Sequence, residues 1–191
     1  MANTLLRALL VPCLGIALQA QAAEVAVRAT RDGDALLIEA SADFEGTLAQ
    51  TWQVLTDYDR LAEFIPNLRI SRVIARSKEG ITVEQKGEAR LLFFSYPIEV
   101  QLVVTEFPHD KVVSRVTAGN FREMSGVYVL EAQQGRVRLR YSGRMTPDFF
   151  VPPLIGTWVL RHNVEITFGA LVDEIMRRQR DAPSPGAGSK Q

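Results

Sequence analysis

One cysteine, Cys13, and two histidines, His109 and His162, stand in a chain of 191 residues. A single thiol closes no internal disulfide. So few soft ligands build none of the Cys/His clusters that hold zinc. No loop carries the spaced carboxylates of a calcium site, so no metal is expected. Basic and acidic residues number 22 each and cancel, which removes the basic excess usual in a nucleic-acid binder. There is no glycine-rich phosphate loop, no G-x-S-x-G and no Ser/His/Asp grouping. The sequence therefore yields no catalytic set and no cofactor.

The two ends read as different from the middle. Arg7 sits at the start of an apolar run, Leu5 to Leu18, followed by Ala20-Gln21-Ala22, a small-x-small pattern. Residues 1–22 are expected to be a secretory signal peptide; the run is too short to span a bilayer. Pro12 before Cys13 leaves no lipid-attachment pattern. Cleavage near Ala22 would leave a chain without cysteine, which fits a periplasmic or secreted protein that needs no disulfide. Residues 181–191 are rich in Pro, Gly and Ser and are expected to be a disordered tail. Residues 23–180 form one expected domain.

Within that domain, Val25–Arg31 and Ala35–Ala42 flank Asp32-Gly33, a hairpin signal. Asp43–Thr56 reads as a short amphipathic helix, with Thr47 as candidate N-cap and Leu48, Trp52 and Leu55 on one face. Asp57–Ile65 is a second, shorter helical segment, capped by Asp57 and ended by Pro66, which pushes its predecessor out of the helical region. From Ile70 the apolar period falls to about two residues. Strands are expected at Ile70–Arg76, Ile81–Phe93, around Ile98–Val104, at Val112–Ala118, around Met124–Leu130 and over Arg136–Met145. Turns fall at Lys78-Glu79-Gly80, Pro108-His109-Asp110, Gly119-Asn120 and Gln134-Gly135. Pro152–Gln179 reads as one long helix with an apolar stripe of Leu160, Val164, Phe168, Leu171, Val172 and Ile175.

The predicted fold class is α+β: a curved antiparallel sheet wrapped around a long C-terminal helix, with two short helices near the N-terminus. A sheet gripping one helix leaves a cavity, a usual place for a small-molecule site. Residues 47–65 are expected to lie across one end of it as a plug or a gate.

Four stretches carry a resemblance: TWQVLTDYDRLAEFIPNLRISRV (Thr51–Val73), VEQKGEA (Val83–Ala89), GNFREMSGVYVLE (Gly119–Glu131) and YSGRMTPDFFVPPLIG (Tyr141–Gly156). In order and spacing the chain resembles the START-like superfamily with its helix-grip fold. More closely it is similar to the bacterial branch of polyketide cyclase/dehydrase-like and coenzyme-Q-binding-like proteins. The resemblance implies a binding protein for a hydrophobic small molecule such as a lipid, an isoprenoid quinone or a polyketide-like compound. The alternative it implies is a cyclase or aromatase working in the same cavity.

The candidate lining residues follow from which side chains face inward. The aromatics Trp52, Tyr58, Phe64, Tyr128, Tyr141, Trp158 and Phe168 either line a pocket or fill an ordinary core. Gln85, Gly87 and Met124 fall on inward strand faces, as do Gly126 and Gly143; small or polar residues there leave space, or mark strand bends. Arg161 either anchors a polar ligand head or pairs with Glu165 one turn on. The cyclase alternative would use Tyr58, Tyr141 and Arg161 to hold and polarise a substrate. His109 reads as a solvated turn residue and His162 as a surface one. The arginines of Arg136–Arg144 would offer a peripheral contact to an acidic membrane surface.

Overall fold

The computed structural model describes residues 23–91, 94–151 and 156–182. The expected signal segment and residues 183–191 of the expected tail lie outside the described residues. The strands are β1 (Glu24–Asp32), β2 (Ala35–Glu45), β3 (Leu68–Ser77), β4 (Gly80–Leu91), β5 (Phe94–Phe107), β6 (Lys111–Gly119), β7 (Phe121–Gln133) and β8 (Arg136–Pro147). They form one antiparallel sheet in the order β1-β2-β8-β7-β6-β5-β4-β3. The helices are α1 (Leu48–Leu55), α2 (Leu61–Phe64), with a 3-10 turn at Tyr58–Arg60 before it, and α3 (Gly156–Asp181).

One strand connection does not join neighbours: β2 lies next to one edge and β3 is the other edge. The chain must cross the whole sheet between them, and α1, the 3-10 turn and α2 make that crossing. This is why a broken helical segment precedes the main run of strands. Thr47 caps α1, its Oγ1 accepting from the Gln50 N–H at 3.2 Å, which satisfies a donor that has no partner inside the helix.

Several expected boundaries move. Asp43–Glu45 belong to β2, not to the first helix, because all three pair with β8. The hairpin loop is Gly33-Asp34, one residue later than expected, with Gly33 at φ +58°. Asp57 does not cap the second helix through its side chain; its Oδ2 instead accepts from Arg178 Nη1 at 2.8 Å. Residues 92–93 and 152–155, placed in a strand and a helix by the sequence, lie outside the described residues.

The core is dense at one end of the grip and loose at the other. Phe168, Leu171, Val172 and Ile175, in the C-terminal half of α3, are buried against Leu139, Val137, Leu130, Phe44, Val54 and Leu55. Burying one such large apolar side chain contributes about 1.5–3 kcal/mol, so this half carries much of the fold's stability. In the N-terminal half of α3, Val159, Leu160 and Val164 are only half-buried. In the sheet the half-buried stretch is central: on β8, Val137 and Leu139 are buried, Tyr141 half-buried, and burial returns at Met145 and Pro147; on β7, Leu130 is buried and Tyr128 and Met124 half-buried.

An ion network ties the crossing segment to the dense end. Arg178 donates to Glu174 through Nε at 2.7 Å and to Asp57 through Nη1 at 2.8 Å, and its guanidinium lies 5.5 Å from the Phe64 ring. Arg177 holds the same Glu174 with two hydrogen bonds.

Candidate ligand-binding site

The half-buried inner surface lies between the middle of the sheet and the part of α3 around Val164 and Phe168. Two tyrosines form one wall. Tyr128 and Tyr141 are direct cross-strand partners, with ring centroids 4.6 Å apart, and the Tyr128 ring lies parallel to Phe168 at 6.5 Å. Both are deep in the molecule. Burial, with the adjacent Tyr141, raises the Tyr128 hydroxyl well above its ordinary range; burial pushes Tyr141 up to about 12. Both stay protonated at neutral pH and act as donors. Both also keep accessible surface, and neither is among the fully enclosed polar groups that lack a partner.

The opposite wall comes from β3 and β4. Gln85 Nε2 donates to Ser71 Oγ at 3.4 Å, and the two residues pair across the strands. Ser71 is buried and was not singled out by the sequence, because a lone serine in an irregular edge strand carries no pattern. Its signal appears only once the β3–β4 register, with bulges at both ends, turns it inward. Ile98, Val116, Met124 and Val164 add half-buried apolar surface packed on the same core.

The inward glycines have specific neighbours. A Cβ at Gly143 would stand 2.5 Å from the Tyr141 hydroxyl oxygen, and one at Gly126 would stand 2.7 Å from it. These two glycines, themselves paired across β7 and β8, therefore hold the Tyr141 phenol flat against the sheet. A Cβ at Gly87 would overlap the Asn67 carbonyl oxygen, so this glycine admits the close approach of the α2–β3 junction.

The remaining sequence candidates sit apart from these walls. Trp52, on α1, packs against His109 at 5.7 Å, and Tyr58 is buried and donates to Glu106 Oε1 at 2.9 Å; both serve the dense end. Burial, and then that bond to Glu106, raise the Tyr58 hydroxyl. Trp158 is 49% exposed and stacks on His162. The Arg161 side chain is 51% exposed and pairs with Glu165 at 3.4 Å, the ion-pair alternative read from the sequence. The structure thus places Met124, Tyr128, Tyr141 and Phe168 in one apolar cluster, to which Trp52 and Tyr58 also belong from the dense end; it seats Phe64 by Arg178, Gln85 beside Ser71 and Gly87 at the α2–β3 junction, and leaves Trp158 and Arg161 half-exposed. The arginines of β8 are not free either: Arg138 pairs with Asp43, Arg140 with Glu131 and Arg144 with Asp32. Among the described residues no cluster of three metal-ligating side chains occurs, and no helix is long and apolar enough to cross a membrane.

Comparison with known proteins follows the same lines. Residues 45–166 match the family described as polyketide cyclase/dehydrase and lipid transport. No curated protein matches the chain. Solved structures match it in fold. A START superfamily protein from Mycobacterium smegmatis aligns with a TM-score of 0.63 at 11% identity, covering 74% of this chain and 98% of its own. A STAR-related lipid transfer protein from Xanthomonas axonopodis gives 0.62 at 13%, covering 82% and 95%. The ZhuI aromatase/cyclase from a Streptomyces species gives 0.61 at 12%, covering 81% and 99%. With a family match over residues 45–166 of 191, the chain belongs to the polyketide cyclase/dehydrase and lipid transport family, and its antiparallel sheet gripping a long C-terminal helix is the fold it shares with the START superfamily protein.

Proposed function

We propose that this protein is a carrier or sensor that holds a hydrophobic small molecule between the sheet and α3. The observation that supports this best is the pair Tyr128–Tyr141: two protonated phenols side by side on the inner face of the sheet, each only half-buried and flanked by half-buried apolar side chains. A ligand carbonyl or hydroxyl lying against them would accept a hydrogen bond. The ligand class is then a largely apolar molecule with an acceptor oxygen, such as an isoprenoid quinone, a polyketide-like compound or a lipid. Gln85 and Ser71 would meet a second polar group on the far wall.

Native mass spectrometry of the gently purified protein, followed by organic extraction, tests this. A released apolar compound at near-stoichiometric amount is expected. An empty protein that also has no affinity for quinones, polyketide-like aromatics or phospholipids would overturn it.

The cyclase reading uses the same space. Its three proposed groups do not converge, since Tyr58 is committed to Glu106 and Arg161 to Glu165. General acid/base work needs a titratable group beside the substrate, and the tyrosines that line the space have their acidity suppressed by burial. Binding is therefore preferred over turnover.

We further propose export to the periplasm or beyond, with cleavage near Ala22, on the strength of the residue 1–22 pattern. The intact mass of the protein from cell fractions decides it: a periplasmic species beginning near Ala23 is expected, and an uncleaved cytoplasmic species would overturn it.

A further inference from the structure

The loose end of the grip carries an aromatic surface that the ligand space does not use. Tyr96, at the start of β5, stacks on Phe149 with ring centroids 3.8 Å apart, and Phe121 meets Phe149 edge-on at 5.9 Å. Phe150 follows in the chain and is 83% exposed. Val151 reaches the first residue of α3, since a Cβ at Gly156 would collide with its side chain, and Trp158 stands two residues further on. The first turns of α3 are docked on the end of β4, where Asn163 exchanges hydrogen bonds with both the N–H and the C=O of Arg90. Three elements thus bring Tyr96, Phe149, Phe150 and Trp158 to one end of the molecule. It is the end where α3 is least buried and the interior is nearest to solvent.

The charge there has a sign. Glu88 accepts from both Arg69 and Arg90, and from Ser95. The carboxylate is nearly enclosed while both guanidiniums stand in solvent. The bonds from Ser95 and Arg90, with Arg69 behind them, hold Glu88 ionised down to about pH 2. Two cations on one anion leave a positive surplus on the outer face of the β4–β5 hairpin, across the sheet from Tyr96, whose strand partner is Ala89. Arg122, paired at 3.4 Å with the exposed Asp34, lines a charge-balanced hollow of about 460 Å³ with Arg31, Asp148, Phe149 and Phe150.

We propose that this end is a membrane-docking surface for a bilayer containing anionic phospholipid. Trp, Tyr and Phe are the side chains that settle at the level of the headgroups. Exposed arginines at the same end pair with lipid phosphates, and that attraction falls off within a Debye length. The seated bilayer would lie against the loose end of the grip and so give an apolar ligand a route that avoids water. The arginine-rich face of β8 is a poorer candidate, since Arg138, Arg140 and Arg144 each have a carboxylate of their own, whereas Arg69 and Arg90 share one.

The test follows Trp158 itself. The chain has two tryptophans, so Trp52→Phe leaves Trp158 as the only emitter. The full chain is mixed with vesicles of phosphatidylcholine alone, or of phosphatidylcholine with phosphatidylglycerol, each with and without brominated acyl chains. Expected are a blue shift and bromine quenching of Trp158 with the anionic vesicles, weakened by high salt and absent when the protein is merely concentrated without lipid. Phe150→Ser and Arg90→Gln, both at solvent-exposed side chains, should each reduce quenching at fixed lipid by about threefold to tenfold. Residues 1–22 are common to every variant, so a difference between variants reports the patch. Trp158 emission that ignores anionic vesicles, or that shifts equally in Phe150→Ser, overturns the proposal. So does a shift on concentration alone, which would mark the surface as a contact between copies. None of these readings depends on which molecule fills the interior, so docking and ligand binding fail or succeed separately.

Discussion

Tyr141 lies flat over Gly143, two residues along its own strand, so closely that a methyl group on that glycine would stand 2.5 Å from the phenol oxygen. Gly126 on the adjoining strand completes the bed. The ring is thereby fixed to the sheet and its hydroxyl held on the inner surface beside Tyr128. Each half of this arrangement is open to experiment.

Gly126→Ala should fold, because the atoms its Cβ meets all belong to the Tyr141 side chain, which can swing aside. Overpacking of this kind costs about 1–3 kcal/mol. Under the proposed function the displaced ring enters the ligand space. A modest fall in the urea midpoint is expected together with a large loss of affinity for the ligand identified by extraction. Unchanged affinity would show that Tyr141 does not border the occupied space.

Tyr141→Phe and Tyr128→Phe remove one hydroxyl each and keep the ring. If these hydroxyls donate to a ligand oxygen, each variant should lose about threefold to tenfold in affinity for a quinone or aromatic ketone, the worth of one neutral hydrogen bond. Affinity for a plain alkyl chain should not change. Titration calorimetry with one probe of each kind separates the two cases.

Gly87→Ala meets backbone rather than a side chain. Its Cβ would overlap the Asn67 carbonyl oxygen, and Asn67 already sits at φ 66° and accepts from the Glu88 N–H at 2.9 Å. The α2–β3 junction would have to move. A loss of about 3 kcal/mol or more is expected, against a loss of less than about 1 kcal/mol for an exposed strand substitution such as Thr117→Ala. Thermal denaturation of the two variants side by side checks the difference.

Glu174 should make stability depend on acid. Its hydrogen bonds with Arg177, and then with Arg178, hold its carboxyl at about 2, below the ordinary value of 4.5. The folded-state value is depressed, so the unfolded chain takes up the proton first. The contribution is complete above about pH 4.5 and is lost as the pH falls toward about 2. Glu174→Gln should be less stable than the parent at neutral pH, and its stability should fall less steeply through that window. Parallel slopes in denaturant titrations across the window would exclude Glu174 as the cause.

The network around Glu174 also anchors the crossing segment. Asp57→Asn weakens one bond to Arg178 and leaves those to Glu174 intact. A cost of about 0.5–1.5 kcal/mol is expected. Amide exchange should quicken over residues 56–65 more than over α3, because Asp57 ties the crossing segment to the helix. Equal acceleration in both would mean that the segment and the helix open as one unit.

The order of elements was legible in the sequence because alternation and turn chemistry are local. Val137 to Met145 alternates with its arginines along one strand, and Gly80, Gly119, Gly135 and His109 mark turns where the backbone does take positive φ. The apolar stripe of α3 was legible for the same reason. What the stripe could not say is that Phe168 to Ile175 would be buried while Leu160 and Val164 stayed half-open. That depends on how far the sheet curls around the helix, which no window of sequence contains. Arg161 and Trp158 share a helix with the core, but their outward direction is set by the angle at which α3 docks. Gly126 and Gly143, inward by strand alternation, read as space or as strand bends; only the fold puts the Tyr141 ring over them. The sequence by itself determined which segments are strand, turn and helix, since backbone propensity and side-chain alternation act over a few residues. The tertiary structure alone decided which inward side chains are fully buried and which stay half-buried, since that follows from the sheet's curvature, the β3–β4 register and the docking of α3, all of which are set by contacts between residues far apart in the chain.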